Sequence, residues 1–235
     1  NEIGPELFDG LAVLRTEELL AAHRFDGAEQ YFTRAVDFGY SFSIDETFER
    51  WGRDEIVSDF VRLIRAIRPD VITALRPDGR GGGQHHQASA VLAEEAFKAA
   101  GDPARYPDQI GAGLRPWQPK KLYYMTGFGP QPPAEGKFVT TNLSVRDPLL
   151  GRTYAEVGTE ARSMHKCQGM AQLLALPGQA VARYQLVDTA IPGQKGRDEQ
   201  TLFDGVDASL TGLAQYAGAT PPAPLVSGFE EVAMH

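Results

Sequence analysis

The chain holds five histidines, His23, His85, His86, His165 and His235, and two of them adjoin at the end of a glycine-rich stretch, Gly81-Gly82-Gly83-Gln84-His85-His86-Gln87-Ala88. Imidazole is the side chain best suited to metal ligation and proton transfer near neutral pH. The pair falls where a short predicted strand, Val71-Ile72-Thr73-Ala74, hands over to a predicted helix from His85 to Ala100. That is the carboxyl end of a sheet, where open α/β folds place ligands. In the first turn of a helix the positive end of the dipole favours neutral imidazole, the form that binds metal. Adjacent side chains on a helix diverge by about 100°, so both rings need not face one ion. Spacing alone leaves two readings open, metal ligation or capping and solvent contact.

The elements that must position this pair follow from hydrophobic spacing. Leu11, Leu14, Glu18, Leu19 and Ala22 predict a helix from Gly10 to Arg24, and Gln30 to Phe38 reads as a strand ending near Asp37. Ser43 and Glu46, three residues apart, have the form of a capping box. Ile56, Phe60, Ile64 and Ile67 continue at helical spacing until Pro69 stops the run. Lys121–Met125 and Lys137–Thr141 read as strands, and Tyr154, Val157, Ala161, Met164, Gln168 and Ala171 as a long helix running to about Leu176. Alternating strands and helices predict an α/β fold, a three-layer α/β/α sandwich with a mainly parallel sheet. Residues 1–176 form the regular domain. Residues 177–235, richer in Gly, Pro and Thr, read as an extension, a linker or the start of a further module.

Composition narrows the function classes. A chain of 235 residues can bury one substantial core. Its net charge of −8 argues against general binding to a nucleic-acid backbone. A single cysteine excludes an internal disulfide framework and a multi-cysteine zinc module. No apolar run reaches the roughly 18 residues of a membrane span. The chain starts at Asn1 rather than Met, so it reads as a trimmed product or a fragment, and its compartment stays open.

Several stretches, in order, resemble the LmbE-like or PIG-L family of zinc-dependent de-N-acetylases. They are Arg15-Thr16-Glu17-Glu18-Leu19 with Gly27 after it, Asp37, Ile67-Arg68-Pro69-Asp70-Val71-Ile72, the glycine loop ending in His85-His86-Gln87-Ala88, and His165-Lys166-Cys167-Gln168. The resemblance implies a Rossmann-like sandwich, zinc as cofactor and a small amino-sugar or related amide as substrate. His86 takes the place of the later zinc ligand, Arg15 that of the substrate-contacting arginine and Asp37 that of a carboxylate near the sugar. Gly83 stands where the family has an oxyanion-stabilising histidine, and His85 is the substitute on offer for that catalytic role. The family's opening Ala-His-Pro-Asp-Asp-Glu stretch, with two zinc ligands and the base, occurs nowhere in this sequence. The expectation is therefore a domain without its first strand, belonging to a parent hydrolase and with little activity by itself. A noncatalytic carbohydrate- or partner-binding module is the alternative. The structural counterpart of this expectation is an open strand position beside the loop carrying His86.

The remaining candidates have plainer readings. Asp78 suits a turn better than a partner for His86. His165 and Cys167 suit a packed helix face, and Trp117 and Tyr123-Tyr124 suit the core rather than a sugar platform. Arg80 and its glycines could meet an anion, but no Gly-x-x-x-x-Gly-Lys pattern is present, which excludes a P-loop.

Overall fold

The structure is a computed structural model. It describes residues 1–80, 82–128, 136–170, 175, 178–218 and 220–234. Helix α1 (Phe8–His23) is followed by α2 (Ile44–Trp51) and α3 (Arg53–Ile67), then strand β1 (Val71–Leu75) and helix α4 (Gln84–Ala99). After the short α5 (Pro107–Gly111) come β2 (Lys121–Phe128), β3 (Val139–Asn142), β4 (Arg146–Asp147), β5 (Arg152–Thr153), α6 (Tyr154–Arg162), β6 (Val181–Thr189) and α7 (Ala223–Ala233).

The α/β class expected from the alternation is present, with helices flanking a four-stranded sheet of order β1-β2-β6-β3. The sheet is mixed where a mainly parallel one was expected. β1 and β2 run parallel, from Val71 opposite Lys121 to Leu75 opposite Met125. β6 returns antiparallel between β2 and β3. β6 places the sheet across the boundary drawn at residue 176. The chain beyond it also packs back: Tyr216 stacks on Trp117 with ring centroids 5.3 Å apart, and its hydroxyl donates to Asp70 at 2.8 Å. The Lys120 ammonium donates to Gln215 at 2.8 Å.

The core lies between α3 and α4. Ile56, Val57, Val61 and Ile64 of α3 meet Leu92, Ala96 and Ala99 of α4, with Phe48, Trp51, Phe60 and Trp117 packed around them. The alanines give α4 a thin face, so the two helices approach closely and bury their apolar stripes. Arg65 is also buried, at 2% exposure. Its guanidinium donates to the carbonyls of Ala100, Asp102, Arg105 and Tyr106 and to Gln109 Oε1, at 2.7–3.3 Å. The carbonyls of Ala100, Asp102 and Tyr106 also accept backbone N–H groups from Trp117, Arg105 and Gln109, so the guanidinium adds a second donor to these and supplies the donor to the Arg105 carbonyl and to Gln109 Oε1.

Three local expectations differ from the structure. The run read as one helix from Ser43 breaks at Gly52, whose φ of 75° ends α2 and starts α3. Only half of the capping box forms there, with Ser43 Oγ accepting from Glu46 N–H while the Glu46 carboxylate accepts from Phe42 N–H. Residues 30–38 form no strand. The Arg34 N–H donates to Asp59 and the Val36 carbonyl accepts from the Trp51 indole. β-Forming residues without a neighbouring ladder do not make a strand. Finally, α6 stops at Arg162 rather than near Leu176, and a short 3-10 turn follows at Lys166–Gln168. Residues 171–174 and 176 of that expectation lie outside the described residues.

Among the described residues β1 pairs with β2 alone, and its other edge is open. Val71-Ile72-Thr73-Ala74 had the look of a buried strand, yet all of β1 is half-buried or exposed. An apolar cavity of about 500 Å³ adjoins it, walled by Phe60, Leu63 and Ile64 of α3, Ile72 and Ala74 of β1, and Ala90 of α4. His85 and His86 stand at the carboxyl end of this space. β1 is thus an edge strand among the described residues, and the cavity bordered by His85 and His86 lies against it. No helix is long and apolar enough to cross a membrane among the described residues.

Candidate functional site

Gly83 precedes α4 with an extended backbone, so His85 and His86 are the second and third residues of the helix. The His85 ring is held from two sides. Phe38 meets it edge-on at 4.7 Å between centroids, and Trp51 stacks on it at 5.2 Å and 30°. Its Nε2 is buried and has no hydrogen-bond partner among the described residues. A buried polar atom without a partner is costly, so this nitrogen marks a place where a ligand atom would be stabilised.

His86 is exposed and borders the apolar cavity. Its ring leans over Gly82, which has φ of 136°, and a Cβ at that position would lie 2.7 Å from His86 Cγ. Gly82 is thus required both for the turn and for the room its neighbour occupies. Asp78 closes the preceding turn, accepting from Arg80 N–H at 3.2 Å and from Arg76 Nε at 2.9 Å. It makes no contact with His86, so the turn reading fits the geometry.

Asp37 reaches the same neighbourhood through the chain. It precedes Phe38, whose ring touches His85. The Asp37 carboxylate is exposed, and one of its oxygens accepts from Gly39 N–H at 2.7 Å. The second oxygen has no partner among the described residues. The Arg50 guanidinium lies over the Phe38 ring, 5.5 Å from its centroid. Phe38 and Trp51 were not singled out by the sequence pattern, because what gives them meaning is their packing on His85.

Arg15 belongs to a different cluster. It forms an ion pair with Glu18 and donates to His165 Nδ1 at 3.3 Å. An arginine can only donate, so His165 accepts through Nδ1 and is neutral. Burial first, and the Arg15 charge second, hold the His165 pKa below its ordinary value. Glu18 also accepts from Cys167 N–H at 2.6 Å. Burial would raise the Glu18 carboxyl, but the hydrogen bonds from Cys167 and the Arg15 charge outweigh it and keep its pKa low. Burial, and then the Glu18 carboxylate, raise the Cys167 thiol, which is the opposite of what a nucleophile needs. The two stretches Arg15–Leu19 and His165–Gln168 thus meet, joined by Glu18.

A pH dependence follows with a definite sign. A carboxylate held low in the folded state contributes stability that is present above its unfolded pKa and lost as pH falls through the folded one. His165 acts in the same direction, since the unfolded imidazole takes a proton below about pH 6.5 before the folded one does. Glu18→Gln is expected to lower stability by about 1–2 kcal/mol at pH 7. Its difference from the wild type should shrink below about pH 4.5. Urea unfolding across pH checks this, and a constant difference down to pH 3 would contradict it.

A catalytic zinc normally has three protein ligands and a water. Among the described residues no three His, Cys, Asp or Glu side chains come together as a metal-binding set. His85 and His86 supply at most two imidazoles, and the carboxylate-rich opening stretch has no counterpart in the sequence. The donors present do not by themselves fit such a centre. Trp117 and Tyr123 are core residues: the Trp117 indole donates to the Pro69 carbonyl at 2.7 Å, and Tyr123 is fully buried.

Comparison with known proteins agrees with these motifs. Residues 2–97 match the PIG-L family, described as GlcNAc-PI de-N-acetylase. A 1D-myo-inositol 2-acetamido-2-deoxy-alpha-D-glucopyranoside deacetylase of Streptomyces scabiei is 28% identical over 244 aligned positions, covering 88% of this chain and 72% of that protein. The deacetylase of the same name from Streptomyces avermitilis is 30% identical over 160 positions, covering 64% of this chain and 52% of its own length. An N,N'-diacetylchitobiose deacetylase structure from Pyrococcus horikoshii superposes with a TM-score of 0.37 at 18% identity, covering 49% of this chain and 40% of that one. The match to the PIG-L family spans residues 2–97, which include Arg15, Asp37, His85 and His86, and over that stretch the chain is similar to GlcNAc-PI de-N-acetylases.

Proposed function

We propose that this chain is the substrate-holding part of a hydrolase that removes the N-acetyl group from an N-acetylglucosaminyl-type substrate. The observation that carries the reading is the packing of Phe38 and Trp51 on His85, with Asp37 next to Phe38 in the chain, all within the stretch similar to the PIG-L family. The names of the Streptomyces relatives supply the substrate class, an acetamido sugar joined to an inositol.

In this reading the free oxygen of Asp37 accepts from a sugar hydroxyl. The buried Nε2 of His85 meets a polar atom of the acetamido group. His86 is the residue of this set that would ligate zinc in a complete site, where the metal would supply activated water for amide hydrolysis. Arg15 is bound to Glu18 and His165, so contact with substrate through it requires exchange of that ion pair. Residues 1–235 hold the sugar but lack the donors for turnover. The alternative of a noncatalytic carbohydrate-binding module shares the sugar site and dispenses with a metal role for His86.

Calorimetric titration separates these from a site for unrelated ligands. Methyl N-acetyl-β-glucosaminide is expected to bind and methyl β-glucoside to bind at least about tenfold more weakly, because the second leaves His85 Nε2 unpaired. Asp37→Asn should weaken binding of the first by about tenfold. Equal affinities for the two sugars would remove the acetamido reading.

A further inference from the structure

We infer that Tyr40 and Phe42 form an aromatic patch that takes the C–H face of a pyranose ring, on the same loop as the carboxylate of Asp37. The inference rests on the amino-sugar reading above and specifies where the ring lies. Tyr40 is 79% exposed and Phe42 81% exposed, and the two rings meet edge to face at 5.0 Å. Single exposed apolar side chains are ordinary, but two adjoining exposed rings form an apolar patch of the kind that marks a contact surface.

The backbone that presents them is anchored. Between the two rings Ser41 is buried at 5% exposure, with its hydroxyl hydrogen-bonded to the Ser43 carbonyl and to Thr47 Oγ1, each at 2.8 Å. Phe42 N–H donates to the Glu46 carboxylate at 2.9 Å, and Gly39 N–H donates to Asp37 at 2.7 Å. The inward-facing serine between two outward-facing rings fixes which way the rings point. A rigid aromatic surface binds with little loss of conformational entropy.

The chemistry of a sugar ring matches this surface in two respects. A pyranose has a face of C–H bonds, which suits the electron-rich face of an aromatic ring. Its rim of hydroxyls suits an acceptor, and Asp37 keeps one oxygen free three residues before Tyr40. Phe38, between them in the chain, packs on His85, so the patch lies on the loop that borders the buried Nε2. A flat apolar partner would use the rings and leave the carboxylate idle, whereas a sugar uses both.

Titration of the whole chain with methyl N-acetyl-β-glucosaminide tests the assignment, with circular dichroism as the check on folding. Tyr40→Ala and Phe42→Ala are each expected to weaken binding by about tenfold, while Tyr40→Phe keeps the ring and stays within about twofold of wild type. Unchanged affinity in both alanine variants overturns the role of the patch and leaves the amino-sugar reading standing. Absence of binding by the wild-type chain overturns both. Sedimentation that shows a wild-type dimer dissolved by Tyr40→Ala, with sugar affinity unchanged, assigns the patch to a second copy of the chain and overturns the inference.

Discussion

Replacing Arg65 with alanine is expected to destabilise the protein by about 3–5 kcal/mol, among the largest single effects available in the chain. The side chain is 2% exposed and donates to four carbonyls and one side-chain amide oxygen in the turn after α4. Truncation removes all five bonds and leaves the Arg105 carbonyl and the buried Gln109 Oε1 without a donor among the described residues, while the carbonyls of Ala100, Asp102 and Tyr106 keep their backbone N–H partners; each stranded acceptor costs about 1–3 kcal/mol before relaxation. Lysine does not restore the site, because one ammonium cannot reproduce the planar fork of five N–H groups. Arg65→Lys should therefore remain at least about 2 kcal/mol below wild type. Urea unfolding with an unchanged m-value measures the difference. A loss under about 1 kcal/mol for Arg65→Ala would show that water replaces the guanidinium and that α4 does not depend on it.

A second effect of similar size is expected at Glu199. Its carboxylate, 5% exposed, accepts from the fully buried Lys121 ammonium and from the Tyr123 hydroxyl, each at 2.5 Å. Burial, and then the neighbouring carboxylate, push the Tyr123 hydroxyl far above its usual pKa, so the phenol stays a donor. Glu199→Ala strands a buried cation and should cost about 3–5 kcal/mol. The double replacement Lys121→Met with Glu199→Leu should recover most of that loss, because a buried ion pair contributes little over an apolar pair of similar volume. A double-mutant cycle reads the coupling directly. Additive losses would mean that the two side chains are solvated separately and that the 190s segment is not tied to β2 through them.

The parts of this molecule that were legible in the sequence are those set by local periodicity. α1, α4 and β1 appear close to their expected bounds, and α3 ends where Pro69 predicts although it starts only after the break at Gly52, because apolar spacing, Pro69 and the glycine loop specify them locally. β6 was hidden because it follows a Pro/Gly-containing stretch and its partners, β2 and β3, are far away in sequence. The failed strand at 30–38 is the converse case, with β-forming residues and no ladder to join.

The candidate site shows the same division. His85, His86 and Asp37 stand out by residue type, and resemblance supplied their roles. That Phe38 and Trp51 hold the His85 ring, or that Glu18 bridges Arg15 to the Cys167 backbone across 149 residues, depends on tertiary packing. Resemblance places Arg15 with the substrate, whereas the structure places it in a knot with Glu18 and His165.

The most direct measurement is a proton NMR experiment in which methyl N-acetyl-β-glucosaminide is mixed with the chain and zinc. Saturation transferred from protein to the acetamido methyl reports binding, and free acetate reports hydrolysis in the same sample. The predicted result is transfer to the acetamido methyl, reduced in Asp37→Asn, with no acetate above the protein-free control. Acetate accumulating with these residues alone would contradict the account, since it would require a complete set of metal donors that the described residues do not bring together. Absence of transfer in the wild type would contradict it from the other side, by removing the sugar site itself.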